Sequence, residues 1–74
     1  MPRITSMELT EQQNEVLKFI RAFVSKRGFP PTRQEIADSF GWAYASAAES
    51  HLRAIERKGR ITITPGISRG IVIK

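Results

Sequence analysis

Two helical signals stand three residues apart in a chain of 74, and no other feature limits its fold so tightly. The first runs Thr32-Arg33-Gln34-Glu35-Ile36-Ala37-Asp38-Ser39-Phe40-Gly41 and the second Ala45-Ser46-Ala47-Ala48-Glu49-Ser50-His51-Leu52, with Trp42-Ala43-Tyr44 between them. Two short helices joined by so tight a turn form a helix-turn-helix, in which the first packs across the second. The exposed N-terminal face of the second helix is then free to enter a DNA major groove.

The flanking segments extend that core in both directions. Thr10 with Gln13 is a capping-box start, and Val16, Leu17, Ile20, Phe23 and Val24 recur at helical spacing until Gly28, predicting a first helix over 11–27. Phe29-Pro30-Pro31 cannot continue it, because proline lacks the amide donor and biases its predecessor toward extended backbone. Thr32 with Glu35 makes a second capping box, and Gly41 is placed for a left-handed cap. In the third helix Ala48, Leu52 and Ile55 share a stripe that Gly59 ends. Its start is open, since Tyr44 is a poor cap whereas Ser46 with Glu49 would be a good one. Ile61-Thr62-Ile63-Thr64 and Ile71-Val72-Ile73 read as two strands around Pro65-Gly66, a turn needing positive φ at its second central residue, with Gly70 loosening entry to the second strand. The expected fold is mainly α with a small β-hairpin. It is a three-helix winged helix-turn-helix over 1–74, with the motif about 33–53 and the wing about 60–74.

Charge is distributed unevenly along this frame. Of the net +5, Met1 to Glu49 contribute nothing, because six basic residues cancel six acidic ones. From Ser50 onward Arg53, Arg57, Lys58, Arg60, Arg69 and Lys74 face Glu56 alone. Attraction for a polyanion is therefore focused in the last third, although a basic surface also serves solubility. A chain of this size buries only about 60% of its unfolded surface, which leaves no room for a second, catalytic domain. With no cysteine and one histidine there is no disulfide framework and no metal site at ligand spacing. No Ser/His/Asp set, paired carboxylates or phosphate-cradling glycine loop is present, so neither catalysis, a cofactor nor a small-molecule substrate is expected. No apolar run approaches the roughly 20 residues of a membrane span, and the N-terminus lacks the charged start and long apolar stretch of a signal peptide, so neither is expected. The expected setting is the cytoplasm, with no membrane partner.

At the start of the third helix, Ser46 offers one donor and two acceptors, Ala47 can pack on a thymine methyl, and Glu49 can accept from cytosine N4. Each also has a plainer role: Ser46 and Glu49 as helix caps, Ala47 as a good helix former. Arg33, Arg57 and Lys58 suit phosphates, which position a protein without reading sequence, with solvated surface charge as the alternative. Trp42 is expected to plug the gap between helices, while Tyr44 is left open between that role and stacking on DNA. His51 reads as a half-buried or phosphate-contacting imidazole. In the wing, Ser68 and Arg69 reach backbone or minor groove unless they are only a solvated loop tip.

Taken together, Leu9-Thr10 with Gln12-Gln13, Gly28-Phe29-Pro30-Pro31-Thr32-Arg33 leading to Glu35-Ile36-Ala37, Ala47-Ala48-Glu49 with His51-Leu52, Arg57-Lys58-Gly59, and Gly66 with Ser68-Arg69-Gly70-Ile71 form a specific pattern. The chain resembles the N-terminal DNA-binding domain of the LexA repressor family, which governs the bacterial SOS response, from about Leu9 to Ile73. The resemblance implies a winged domain that binds an operator in double-stranded DNA, in a bacterial or phage-encoded protein. The base-reading set is then Tyr44, Ser46, Ala47, Glu49 and Ser50, and the phosphate-contacting set Gln12, Thr32, Arg33, Arg53, Arg57, Lys58, Ser68 and Arg69. Three of the reading positions depart from the family pattern, which usually has serine at Tyr44, asparagine at Ser46 and glutamate at Ser50, so the usual SOS operator is not carried over. Nor is autoproteolysis, because the family's self-cleaving Ser/Lys domain, which also supplies its dimer interface, has no counterpart in these residues.

The expected function is sequence-specific repression of transcription, with a second copy of the chain as a partner on DNA. The alternative is a winged module that binds another repressor or the transcription machinery. If Arg33, Arg57, Lys58 and Arg69 each neutralise one phosphate, the logarithm of affinity should fall with that of salt at a slope of about −3 to −4 per protomer, at about 0.9 per contact. Affinity measured from low to moderate salt checks this, and a flat response would rule out an electrostatic interface.

Overall fold

The computed structural model describes residues 8–74. It contains α1 (Glu11–Arg27), α2 (Arg33–Phe40) and α3 (Ala45–Arg57), followed by β1 (Ile61–Ile63) and β2 (Ile71–Ile73). Mainly α with a small hairpin is thus the observed class. The single-domain expectation also covers residues 1–7, which lie outside the described residues.

Both capping boxes form. The Thr10 hydroxyl accepts from the Gln13 N–H at 3.1 Å while the Gln13 side chain accepts from the Thr10 N–H at 3.0 Å, and Thr32 and Glu35 repeat the exchange at 3.1 and 2.9 Å. These four bonds satisfy donors that have no partner within a helix, which fixes where α1 and α2 begin. Gly28 and Gly41 end the two helices in left-handed conformation at φ 83° and 74°. The tight turn is closed by the Trp42 N–H donating to Ala37 O at 2.8 Å.

Helix α3 begins differently from the serine-capped alternative. Tyr44 occupies the cap position without a side-chain bond, and Ser46 lies inside the helix. A box between Ser46 and Glu49 is not made. The physical reason lies in what the other groups do: Glu49 is taken by two arginines, and the backbone is already helical at Ala47, whose carbonyl meets His51 Nδ1 at 2.9 Å. His51 in turn stacks on Trp42 with ring centroids 4.6 Å apart, which holds the turn against the helix.

Val16, Leu17 and Ile20 of α1, Ile36 of α2, Ala48, Leu52 and Ile55 of α3, and Ile61 and Ile71 of the hairpin form one buried core. Phe19, Phe40 and Trp42 close its edge. Phe40 lies edge-on to Phe19 at 5.8 Å and stacks on Trp42 at 4.9 Å, so a row of rings runs from α1 to His51 on α3. Trp42 is half-buried at the core margin, in keeping with its expected plugging role.

The strands pair antiparallel with Ile61 opposite Ile73, Thr62 opposite Val72 and Ile63 opposite Ile71. Inward Ile61 and Ile71 face the core while Thr62 and Val72 face solvent. Thr64 lies beyond β1, one residue short of the expected strand, although its N–H still donates to Gly70 O at 2.6 Å. Gly66 has the positive φ, 78°, that the turn requires. Gly70 has a role other than loosening the strand. A Cβ there would stand 2.7 Å from Thr64 O and 2.9 Å from Ile67 O, so the loop closes only over a bare α-carbon. Gly70→Ala should therefore cost about 1–3 kcal/mol through forced backbone shifts. Thermal melting together with amide exchange in the hairpin checks this, and an unchanged melt with intact protection would contradict it.

Candidate nucleic-acid interface

On α3 the buried stripe of Ala48, Leu52 and Ile55 leaves the opposite face outward. Ser46, Ser50, Arg53 and Arg57 follow one another at spacings of four, three and four, so they form one continuous row, and all four are exposed. Ala47 and Glu49 flank this row and are half-buried. Tyr44, just ahead of the helix, is 74% exposed, which decides against a core role for its ring. The expected base-reading residues are thus brought to one end and one face of a single helix. That face carries hydroxyl, carboxylate and guanidinium groups, the donor and acceptor types that can read base edges.

The N-terminus of α2 adjoins this face through charge. Glu49 takes Arg33 Nε on one carboxylate oxygen and Arg53 Nε, at 2.7 Å, on the other. Arg33 is the second half-buried member, its side chain 26% exposed against 29% for Glu49. Burial pushes the Glu49 carboxyl up, but the Arg53 hydrogen bond and the charge of Arg33 outweigh it and hold the group below its ordinary range. Arg33 and Arg53, both expected on phosphates, are therefore bound to an internal carboxylate in the free protein.

Arg69 is similarly engaged. Its guanidinium meets Glu35 with two parallel bonds, Nη1 to Oε1 at 2.7 Å and Nη2 to Oε2 at 3.0 Å, and Nη1 also donates to Pro30 O at 3.0 Å. The same group lies 4.7 Å over the Phe29 ring. Arg69 thus ties the wing to the start of α2, and the solvated-tip alternative does not describe it. The forked bond from Arg69, helped by the Thr32 N–H, lowers the Glu35 pKa from 4.5 to about 2, and Glu35 raises that of Arg69.

The other expected phosphate ligands occupy varied settings. Lys58 is half-buried, with Nζ donating to Gln13 Oε1 at 2.7 Å, which links the end of α3 to the cap of α1. Gln12, Arg57 and Ser68 are exposed, and Thr32 is half-buried with its hydroxyl accepting as the α2 cap. Sequence reasoning did not single out Glu35, Pro30 and Phe29 as the seat of the wing, nor Glu56, whose carboxylate accepts the Ile63 N–H at 3.0 Å and fixes β1 to α3. The physical signal at Glu35 was its capping box, which carries no information about a partner 34 residues away. A separate groove of about 420 Å³ between α1 and α2 is lined by Phe19, Phe23, Lys26, Arg27, Glu35 and Asp38, none of them an expected DNA ligand.

Comparison with known proteins gives the family of the chain. The model of the LexA DNA binding domain family matches residues 6–70. The chain is 55% identical over 65 residues to the LexA repressor of Marinobacter nauticus, covering 88% of this chain and 32% of the relative. It is 54% identical over 67 residues to that of Bordetella avium, with 90% and 32% covered, and 53% identical over 66 residues to that of Cupriavidus taiwanensis, with 89% and 30% covered. The chain spans about a third of the length of these curated relatives.

The wing clamp has a defined pH signature. Because the folded pKa of Glu35 is depressed, the clamp's stabilisation is complete above about 4.5 and is lost as pH falls toward about 2. Arg69→Ala should return the Glu35 titration toward 4.5 and loosen the hairpin. Carboxyl chemical shifts followed against pH check this, and a Glu35 midpoint unmoved by the substitution would contradict the clamp.

Proposed function

Since the chain belongs to the LexA DNA-binding domain family, we propose that it binds double-stranded DNA in a sequence-specific manner and represses transcription by occluding a promoter. The observation that carries this reading is the exposed row Ser46, Ser50, Arg53 and Arg57 on a helix whose opposite face is locked in the core. Such a helix can lie in a major groove with its N-terminal residues on base edges. Tyr44, Ser46, Ala47, Glu49 and Ser50 supply the base contacts. Gln12, Thr32, Arg33, Arg53, Arg57 and Lys58 supply the phosphate contacts, with Ser68 and Arg69 in the wing. The protein is on this reading a binding module and not an enzyme, acting in the cytoplasm of a bacterium or from a phage genome. The name LexA repressor, carried by the relatives, supports repression as the outcome.

Two copies on one duplex complete the proposal. In so small a domain most apolar side chains are consumed by the core, which leaves little for a large obligate interface. A single winged module buries limited surface on DNA, so adjacent half-sites are needed to raise the effective concentration of a second copy. The half-sites should lie about one helical turn, roughly 10 base pairs, apart or at a multiple of it.

Selection of bound sequences from a random DNA pool tests both parts, and paired half-sites are the expected result. A pool without enrichment would overturn sequence-specific binding, and an isolated half-site bound tightly would overturn the need for a pair. On the selected duplex, Ser46→Ala should change base preference by about 1–3 kcal/mol at one position, whereas Lys58→Ala should weaken all sequences alike. Equal weakening by both would contradict readout from α3.

A further inference from the structure

We propose that Glu49 restrains nonspecific DNA binding, by holding Arg33 and Arg53 in internal ion pairs that are released only when a base pair offers its carboxylate another donor. The inference rests on the DNA-binding reading above and deepens it. A carboxylate on a DNA-facing helix is repelled by phosphates, and here it also occupies two of the cations that would attract them. Arg33 comes from the first turn of α2 and Arg53 from one turn further along α3, so a single half-buried anion sits between two helices beside the exposed row.

On arbitrary sequence, moving Arg33 and Arg53 to phosphates would leave the half-buried Glu49 unpaired against a polyanion, a costly arrangement. The pairs therefore persist, and neither arginine displaces counterions. On the right sequence an exocyclic amino group in the major groove, as on cytosine N4 or adenine N6, replaces the guanidinium donors at Glu49. Both arginines then become available to phosphates. Discrimination arises because one carboxylate decides whether two cations contribute.

Glu49→Gln tests the proposal, since it keeps the shape and the acceptor but removes the charge. Asp38→Asn is the matched control: it changes the net charge equally and touches neither arginine, Asp38 being bonded to Gln34 at 2.8 Å on the exposed side of α2. Affinities are measured for the selected duplex and for a random-sequence duplex of equal length, across salt concentration.

For E49Q, affinity for the random duplex is expected to rise about tenfold. Its salt slope should steepen by about 1 to 2, at about 0.9 for each arginine released, and the preference for the selected duplex should fall at least tenfold. D38N should alter both affinities alike, by no more than about twofold. An E49Q effect no larger than that of D38N, or an unchanged salt slope, would overturn the proposal while leaving DNA binding intact. Failure of the parent protein to bind either duplex would overturn the DNA-binding reading and the proposal with it. If circular dichroism shows E49Q unfolded, Arg53→Gln gives the test from the other side, because the Arg53 side chain is 65% exposed. It should weaken the selected duplex several-fold more than the random one, and equal weakening of the two would overturn the proposal.

Discussion

The Glu35 carboxylate is the point on which the arrangement of this molecule turns. It sits three residues into α2, where it accepts the Thr32 N–H and fixes the helix start, and it accepts the forked guanidinium of Arg69 from the far end of the chain. Gly28 contributes by ending α1 early enough to leave the Pro30 carbonyl and the Phe29 ring beside the same guanidinium. A hairpin of two three-residue strands has little stability alone. Its orientation is set by what it is fastened to, and here that is the α2 cap on one side and Glu56 of α3 on the other.

A second carboxylate plays the equivalent part on the helices. Glu49 joins α2 to α3 through Arg33 and orders Arg53 along the outer face. The two acids divide the basic side chains into those held within the fold and those projected from it. Glu35 holds Arg69, and Glu49 holds Arg33 and Arg53, whereas Arg57 stands exposed on α3 in line with Ser46 and Ser50. Positive charge concentrated in the last third is thus a poor guide to which cations are available to a polyanion.

Local patterns in the sequence were sufficient for the elements. The Thr10 and Thr32 capping boxes, the Gly28 and Gly41 caps and the Ala48, Leu52, Ile55 stripe each depend on residues within one or two turns, and each is found where the spacing places it. The start of α3 was ambiguous for a physical reason: Glu49 has the chemistry of a capping-box acid, and its pairing with Arg33 across the turn and Arg53 along the helix assigns it elsewhere. The Lys58–Gln13 bond spans 45 positions and the Arg69–Glu35 bond 34, separations at which no local periodicity carries information. The need for Gly70 is likewise non-local, because it comes from the Thr64 and Ile67 carbonyls folded over it.

The most direct measurement is amide chemical-shift mapping of the labelled protein as a duplex recovered by selection is added. The largest changes are expected at Ser46, Ala47, Ser50, Arg53 and Arg57 on α3 and at residues 67–69 in the wing, with α1 little affected beyond Gln12. Changes concentrated on the groove of Phe19, Phe23, Lys26 and Asp38, with α3 unmoved, would contradict a DNA-reading role for that helix.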